Sequence, residues 1–244
     1  MSNSYFKFKQ FIIHQDRCAM KVTTDACLFG AWAAEEIKNE KLKIKNALDI
    51  GSGTGLLSMM FEQKNNSSLI DAIEIDQEAC EQAKENIAAS SFSKKINGVH
   101  GNAKTFSFSK KYDVIISNPP FYEKEITSGN EKKNMAHHHA GLLIEELLKI
   151  IKENLSNDGV FYLLLPFKRS EEIKRVVLKQ NLSIAKIIFV RQSTKHGYFR
   201  LMIKGKLNSG MEEETIIEEI SIWDDQQQYT NEFKELLKDY YLNL

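Results

Sequence analysis

The strongest constraint on the fold is a glycine-rich loop set between a strand and a helix. An apolar run, residues 47–50, leads into Gly51, Gly53 and Gly55, and a helical pattern begins at Leu56. Glycine permits a positive φ and lets a ligand approach the main chain closely. A strand, such a loop and a helix open a βαβ unit, so the segment predicts a parallel sheet with a ligand site at the end of its first strand.

The spacing of the glycines distinguishes between two nucleotide cofactors. A nicotinamide dinucleotide site has its third glycine three positions after the second, whereas here it follows after two, which favours S-adenosylmethionine over NAD. A second strand, residues 69–75, carries Glu74 near its end, where a carboxylate binds both ribose hydroxyls. A third strand ends at residues 99–103. There Asn102 accepts from the adenine amino group with the Ala103 N–H facing the ring, or else caps its own turn.

Another apolar run, residues 112–117, ends in Asn118-Pro119-Pro120-Phe121. A nitrogen on an aromatic ring or an amide has a delocalised lone pair, so it attacks a sulfonium methyl only when it is held and turned. The Asn118 side-chain oxygen and the Pro119 carbonyl can accept its two N–H bonds, and Phe121 offers a face for a planar substrate. Asn-Pro also marks ordinary turns, but together with the glycine loop it predicts methyl transfer to a planar nitrogen.

Strand and helix patterns continue to alternate after this turn. A helical pattern over residues 142–155 precedes a buried strand at 159–165, and a second helix covers 171–180. Two further strands, 184–190 and 198–204, are close enough to pair as a hairpin. The chain therefore predicts a class I, Rossmann-like α/β fold. We expect a mostly parallel seven-stranded sheet with a reversed edge strand and helices on both faces.

The chain divides into one catalytic domain with two extensions. We expect the methyltransferase domain at residues 46–206, preceded by an N-terminal arm and helix, 1–45, that contributes to the cofactor and RNA sites. Residues 207–244 form a C-terminal extension of the same fold, in which 229–242 is an amphipathic docking helix. With 244 residues and 42% hydrophobic content the chain can bury one large core.

Composition excludes several other classes of protein. No apolar stretch approaches 18 residues and the start lacks the apolar core of a signal peptide, so a cytoplasmic protein is expected. Cys18, Cys27 and Cys80 are odd in number and form no Cys-x-x-Cys pair, which indicates neither disulfides nor zinc. The internal run 137–139 is three histidines whose side chains diverge, so no metal is predicted there. The polar segment 123–134 is predicted to be a substrate-gripping flap.

Net charge is zero, so only local basic residues can attract a nucleic acid. The basic side chains available to contact phosphates are Lys7, Lys9 and Arg17 near the start, and Lys195 and Arg200 around the predicted hairpin.

The opening residues carry a family resemblance. Segments 6–11, 16–22, 24–25 and 30–32 closely resemble the bacterial tRNA1(Val) adenine-37 N6-methyltransferases. The glycine loop, Glu74, the Asn-Pro-Pro-Phe turn and the ending, 229–230 and 240–242, are also similar, so the likeness covers nearly the whole chain.

The resemblance implies S-adenosylmethionine as methyl donor and an adenine beside the valine tRNA anticodon as acceptor. Asn102 departs from the family, which more often has aspartate there, and His137 stands where an arginine is expected. No metal and no obligate protein partner are implied. The catalytic residues it implies are Asn118, Pro119, Pro120 and Phe121. The cofactor-binding residues are Lys21, Thr24, Asp25, Asp49, Gly51, Gly53, Gly55, Glu74, Asn102, Ala103 and Asn118.

Three alternatives remain open. The same turn serves enzymes that methylate a glutamine amide of release factors, but these carry a larger helical domain before the first strand. It also serves RNA guanine N2-methyltransferases, which often carry a duplicated domain. A non-catalytic RNA-binding module is the third alternative, and it has no need for an intact glycine loop, carboxylate and Asn-Pro-Pro-Phe turn together.

Overall fold

One eight-stranded sheet with helices on both faces forms the fold of the chain in the computed structural model. The structure describes residues 3–39, 43–66, 69–120, 143–210 and 214–244. None of the helices in these ranges is long and apolar enough to span a membrane.

The elements follow each other in an alternating order. The strands are β1 (Tyr5–Lys7), β2 (Ile12–His14), β3 (Asn46–Ile50), β4 (Leu69–Glu74), β5 (Ile96–His100), β6 (Tyr112–Ser117), β7 (Leu155–Pro166), β8 (Leu182–Ser193), β9 (Tyr198–Leu207) and β10 (Ile216–Trp223). The helices are α1 (Thr24–Asn39), α2 (Leu56–Asn65), α3 (Gln77–Ala88), α4 (Ile144–Asn154), α5 (Ser170–Lys179) and α6 (Asn231–Leu237). Strands β1 and β2 form a separate small hairpin.

The large sheet has the order β10-β8-β9-β7-β6-β3-β4-β5. All neighbouring pairs are parallel except those made by β9, which is antiparallel to both β7 and β8. The chain runs from β3 outward through β4 and β5 and then returns to place β6 on the other side of β3. This reversal of strand order opens a crevice at the carboxyl ends of β3 and β6, where α/β proteins bind their ligands.

The predicted Rossmann-like α/β class is confirmed, and two details of it are wrong. The sheet has eight strands rather than seven, because β10 pairs in parallel with β8 and extends the edge. The reversed strand is internal rather than at the edge. The predicted β8–β9 hairpin is present, and the free side of β9 also pairs with β7 from Val160 to Pro166.

Two apolar layers cover the sheet. On one face α1, α2, α3 and α6 pack against β3, β6 and β8, and on the other face α4 and α5 cover a second core. Helices α1 and α2 approach closely at Gly30, where an added Cβ would lie 2.8 Å from the Met60 sulfur. The C-terminal segment is fixed to the first core, because Thr230 caps α6 and the Tyr240 hydroxyl donates to the Met60 carbonyl at 2.9 Å.

The N-terminal arm, residues 3–22, lies against the first core and α3. Phe8, Phe11 and Ile13 are buried there, and the Lys9 N–H donates to the Tyr240 carbonyl at 2.8 Å. The arm is therefore packed onto the domain at the side where β3 passes into α2.

Candidate cofactor and substrate site

The glycine loop has the backbone that its sequence predicts. Gly51, Gly53 and Gly55 have φ values of 73, 51 and 82°. Among the residues that the structure describes, a Cβ added at Gly51 or Gly53 would have no heavy atom within 4 Å, so the main chain borders space that these residues leave open. Because L residues rarely adopt these φ values, the three glycines permit a turn whose backbone can meet a ligand directly.

The carboxylate of Glu74 lies at the end of β4, beside this loop. Its Oε2 accepts from the Gly53 N–H at 2.8 Å, and its Oε1 accepts from the Asp76 N–H at 3.0 Å. Asp76 in turn caps α3 by accepting from the Ala79 N–H at 2.8 Å. A carboxylate has about four lone-pair sites, so two acceptor positions of Glu74 are left for ligand hydroxyls.

Replacing Glu74 with alanine should weaken S-adenosylmethionine binding by about 2 kcal/mol, because hydrogen bonds to a charged group are lost. Isothermal calorimetry measures this directly. Glu74→Gln keeps an acceptor for one of the two backbone N–H groups, so it separates loss of ligand contact from collapse of the loop. Glu78→Ala, an exposed acid in the first turn of α3, is the matched control. Wild-type affinity in a folded Glu74→Ala protein removes Glu74 from the site.

A second carboxylate, Asp49, is fully buried beneath the loop. Its Oδ2 accepts from the Ser58 hydroxyl at 2.7 Å, whereas neither its Oδ1 nor the buried Ser52 hydroxyl has a hydrogen-bond partner among the described residues. The pKa of Asp49 is raised to about 7, chiefly by burial; hydrogen bonds from Ser58 lower it in part, and the charge of Glu74 adds to the rise. Buried polar atoms usually have hydrogen-bond partners, so Asp49 Oδ1 and the Ser52 hydroxyl mark a polar region beside the loop where a ligand could supply them.

The residues predicted to contact the adenine of the cofactor, Asn102 and Ala103, follow β5. The Asn102 side-chain oxygen accepts from the Lys104 N–H at 3.0 Å, so Asn102 caps its own turn, as the alternative interpretation expects. A carboxamide oxygen has two lone pairs, so the adenine contact stays a prediction. Ala103 packs on the second core. Two apolar side chains near this turn, Ile75 and Phe106, are exposed at 48% and 39% and can border a planar ring there. Ile75 directly follows Glu74, the residue predicted to bind the ribose, so its position in the sequence could have marked it as a neighbour of the cofactor site.

The turn that begins at Asn118 starts beside the glycine loop. Strands β3 and β6 pair up to Asp49 and Ile116, and the Ser117 hydroxyl then donates to the Ile50 carbonyl at 2.7 Å. Asn118 is half-buried, Pro119 is buried and Pro120 is half-buried. Phe121 lies outside the described residues, as do the predicted flap at 123–134 and the histidines at 137–139.

The predicted methionine-end residues lie where the arm meets α1. The Lys21 ammonium contacts the Gln15 carbonyl, and Thr24 begins α1. Asp25 accepts from the Arg200 guanidinium of β9 at 2.7 Å, an ion pair that fixes the start of α1 to the sheet. Their contact with a cofactor stays a prediction.

Most of the predicted phosphate contacts already have partners within the protein. Arg200 forms an ion pair with Asp25, and Arg17 forms one with Glu85. The Lys9 ammonium donates to the Lys238 carbonyl at 2.5 Å, and the Lys195 ammonium donates to the Asp225 carbonyl at 3.5 Å. Phosphate binding by these side chains would exchange one partner for another. Within the described ranges, no three His, Cys, Asp or Glu side chains come together so as to hold a metal ion.

A doubly wound sheet, a glycine loop at its switch point and a carboxylate on the next strand define the class of nucleotide-cofactor α/β enzymes. Comparison with known proteins narrows the class. The model of the methyltransferase small domain family matches residues 33–181, more than half of the chain. A solved structure of a predicted O-methyltransferase from Agrobacterium tumefaciens is 14% identical and covers 90% of this chain and 100% of its own. Its TM-score of 0.66 shows a shared fold.

Relatives similar over their whole length identify the particular family. A protein of Dyadobacter fermentans is 38% identical over 98% of both chains, and one of Christiangramia forsetii is 38% identical over 100% of both. Both are named tRNA1(Val) (adenine(37)-N6)-methyltransferase. The chain belongs to this methyltransferase family, so the predicted family and enzyme class are confirmed.

Proposed function

We propose that the protein transfers the methyl group of S-adenosylmethionine to N6 of adenine 37 in tRNA1(Val). One observation carries the proposal: the glycine loop and the Asn118 turn lie side by side where β3 and β6 end, joined by the Ser117 hydrogen bond to Ile50. A cofactor on the loop and a planar amine on the turn would thus be neighbours. The relatives that match along the full length bear the name of this reaction.

The residues at the strand ends fit S-adenosylmethionine. Within the described part of the chain, the space beside Gly51 and Gly53 is open to the methionine half, and Asp49 Oδ1 and the Ser52 hydroxyl have no partner. Glu74 retains acceptor positions for two ribose hydroxyls. When bound, the cofactor supplies an electrophilic methyl group on a positively charged sulfur.

The residues of the Asn118 turn hold the acceptor amine. The Asn118 oxygen and the Pro119 carbonyl accept its two N–H bonds and direct the nitrogen lone pair out of the ring plane. As the methyl group arrives the nitrogen gains positive character, so these N–H groups donate more strongly in the transition state than in the bound ground state. Pro119 and Pro120 fix the backbone of the turn because their rings restrict φ. Phe121 is assigned to stack on the base, on the basis of sequence alone.

An adenine of the anticodon loop suits such a pocket. It is unpaired, so moving it onto the turn costs less than extracting a base from a duplex. Because the acceptor is tRNA, we place the reaction in the cytoplasm, without a membrane or an obligate protein partner.

Methylation of purified acceptors in vitro tests the proposal. The wild-type protein should incorporate methyl groups into a tRNA1(Val) transcript and none into the transcript in which adenine 37 is guanine. A purified release factor serves as the third acceptor. Incorporation into the release factor or into the guanine transcript, and none into the adenine transcript, would support the rival reactions and contradict the proposal.

A further inference from the structure

The buried side chain of Asn86, on α3, connects the arm to the glycine loop. Its oxygen accepts from the His14 N–H at 2.9 Å, and its amide donates to the His14 carbonyl at 2.8 Å and to the Thr54 carbonyl at 3.0 Å. We propose that Asn86 is a positioning residue that fixes the arm against the glycine loop and so couples the order of the arm to cofactor binding. This inference rests on the proposed function for the identity of the cofactor.

The chemistry of the carboxamide suits this position. Only 1% of Asn86 is exposed, and the side chain uses one acceptor site and both of its N–H groups on backbone atoms. The side chain donates to the His14 carbonyl and accepts from the His14 N–H, as the backbone of a neighbouring strand would. Without it, one N–H and two carbonyls at this partly buried junction lose their partner, which costs more than the bonds contribute when made.

Packing against α3 brings the loop to the same side chain. A Cβ added at Gly55 would lie 3.6 Å from the Ala83 Cβ and 3.8 Å from the Ile87 side chain, both on α3. Ala83 and Ile87 flank Asn86 on the helix. The backbone of the loop thus rests on α3, and Thr54 presents its carbonyl to Asn86 at that contact.

A second amide on α3 holds the arm but makes no bond with the loop. Gln82 lies one helical turn before Asn86 and is 3% exposed, and its oxygen accepts from the Arg17 N–H at 3.2 Å. The arm therefore follows the helix from His14 to Arg17, held by Asn86 at His14 and by Gln82 and Glu85 at Arg17. Gln82→Ala thus provides a comparison variant that loosens the arm without removing a contact with the loop.

Beyond Arg17 the arm reaches the carboxylates at the end of β4. Cys18 is buried, and its pKa is raised to about 11 by that burial and by the charges of Glu74 and Asp76. The arm thus passes within electrostatic reach of Glu74, the residue assigned to the ribose. In the proposal, a cofactor bound at Glu74 contacts the arm held in this place, and that contact favours the ordered state of the arm.

Coupling of this kind is reciprocal, so it can be measured from both ends. S-adenosylhomocysteine affinity is measured by calorimetry, and backbone amide exchange at His14 and Arg17 by NMR, with and without that ligand. In the wild type the ligand should slow exchange at both amides. Asn86→Ala should lower affinity about 10-fold and remove the ligand's protection of His14. The Michaelis constant for the methyl donor should rise with turnover at saturation nearly unchanged.

Gln82→Ala should accelerate exchange at Arg17 and lower affinity by less than Asn86→Ala does, since it loosens the arm but leaves the contact between Asn86 and Thr54 in place. Asn86→Asp keeps the acceptor for the His14 N–H and removes both donations, so it should also lower affinity. If Asn86→Ala does not fold, the same measurements are made on Asn86→Asp. Wild-type affinity and protection in either Asn86 variant would overturn the inference. A wild-type protein that binds no S-adenosylhomocysteine would contradict the proposed function instead.

Discussion

Replacement of Asn118 by alanine should lower turnover by roughly 100-fold or more and leave cofactor affinity nearly unchanged. The side-chain oxygen accepts from the reacting amine, and this bond strengthens as the nitrogen becomes positively charged. Asn118 lies on the turn that the Ser117 hydroxyl fixes to β3, so its loss should leave the glycine loop undisturbed. Single-turnover methylation of tRNA, with calorimetry on the same preparation, separates the two effects.

Two variants sharpen the comparison. Asn118→Asp keeps an acceptor oxygen at the same distance from the backbone, so it should retain more turnover than the alanine variant. Asn97→Ala removes an exposed asparagine on β5 that donates to Asp71 at 3.1 Å, so it should behave as wild type. Full turnover in Asn118→Ala would exclude Asn118 from the transition state and overturn the proposed mechanism.

Replacement of Asp49 by asparagine should change how stability depends on pH. The unfolded chain releases the Asp49 proton near pH 3.8, whereas burial holds the folded pKa at about 7. Between these values the unfolded state gives up a proton that the folded state keeps. The free energy of unfolding therefore falls as pH rises through this window, and it stops falling above the folded pKa.

Asparagine does not titrate, so the free energy of unfolding of the Asp49→Asn variant does not fall in this way as the pH rises. The difference in unfolding free energy between variant and wild type should shift in favour of the variant by roughly 2 to 3 kcal/mol from pH 5 to pH 8. Urea unfolding at both pH values measures it. Comparing the difference across pH cancels the fixed cost of burying an asparagine amide. A constant difference would show that Asp49 is ionised in the folded protein throughout this range.

The order of the elements was predictable because it is a local property. Most strands from β3 to β9 contain a short apolar run, and most helices have an apolar period. Sheet order is not local: the hairpin of β8 and β9 was predicted, but its insertion beside β7 depends on pairing across the whole chain. Strand β10 was missed because Glu218 and Glu219 interrupt its alternation. Only Ile220 and Ile222 of its inward residues are buried.

The candidate site was predictable at its backbone and less so at its supports. Glycines and a strand-ending carboxylate carry a recognisable spacing, so the loop and Glu74 were found from sequence. Helical spacing places Gln82 and Asn86 on the buried face of α3, beside Ala83 and Ile87, but it does not show which atoms these amides bond. Their partners are backbone atoms of the arm and loop, which only the fold brings together.

Mass analysis of tRNA from cells that lack the gene tests the central claim most directly. The account predicts that the anticodon-loop fragment of tRNA1(Val) loses one methyl group, located on N6 of adenine 37. Expression of the wild-type protein restores the methyl group, and Asn118→Ala does not. An unchanged fragment mass in the deletion strain, with a methyl group missing from a release-factor glutamine or from an RNA guanine, would contradict the account.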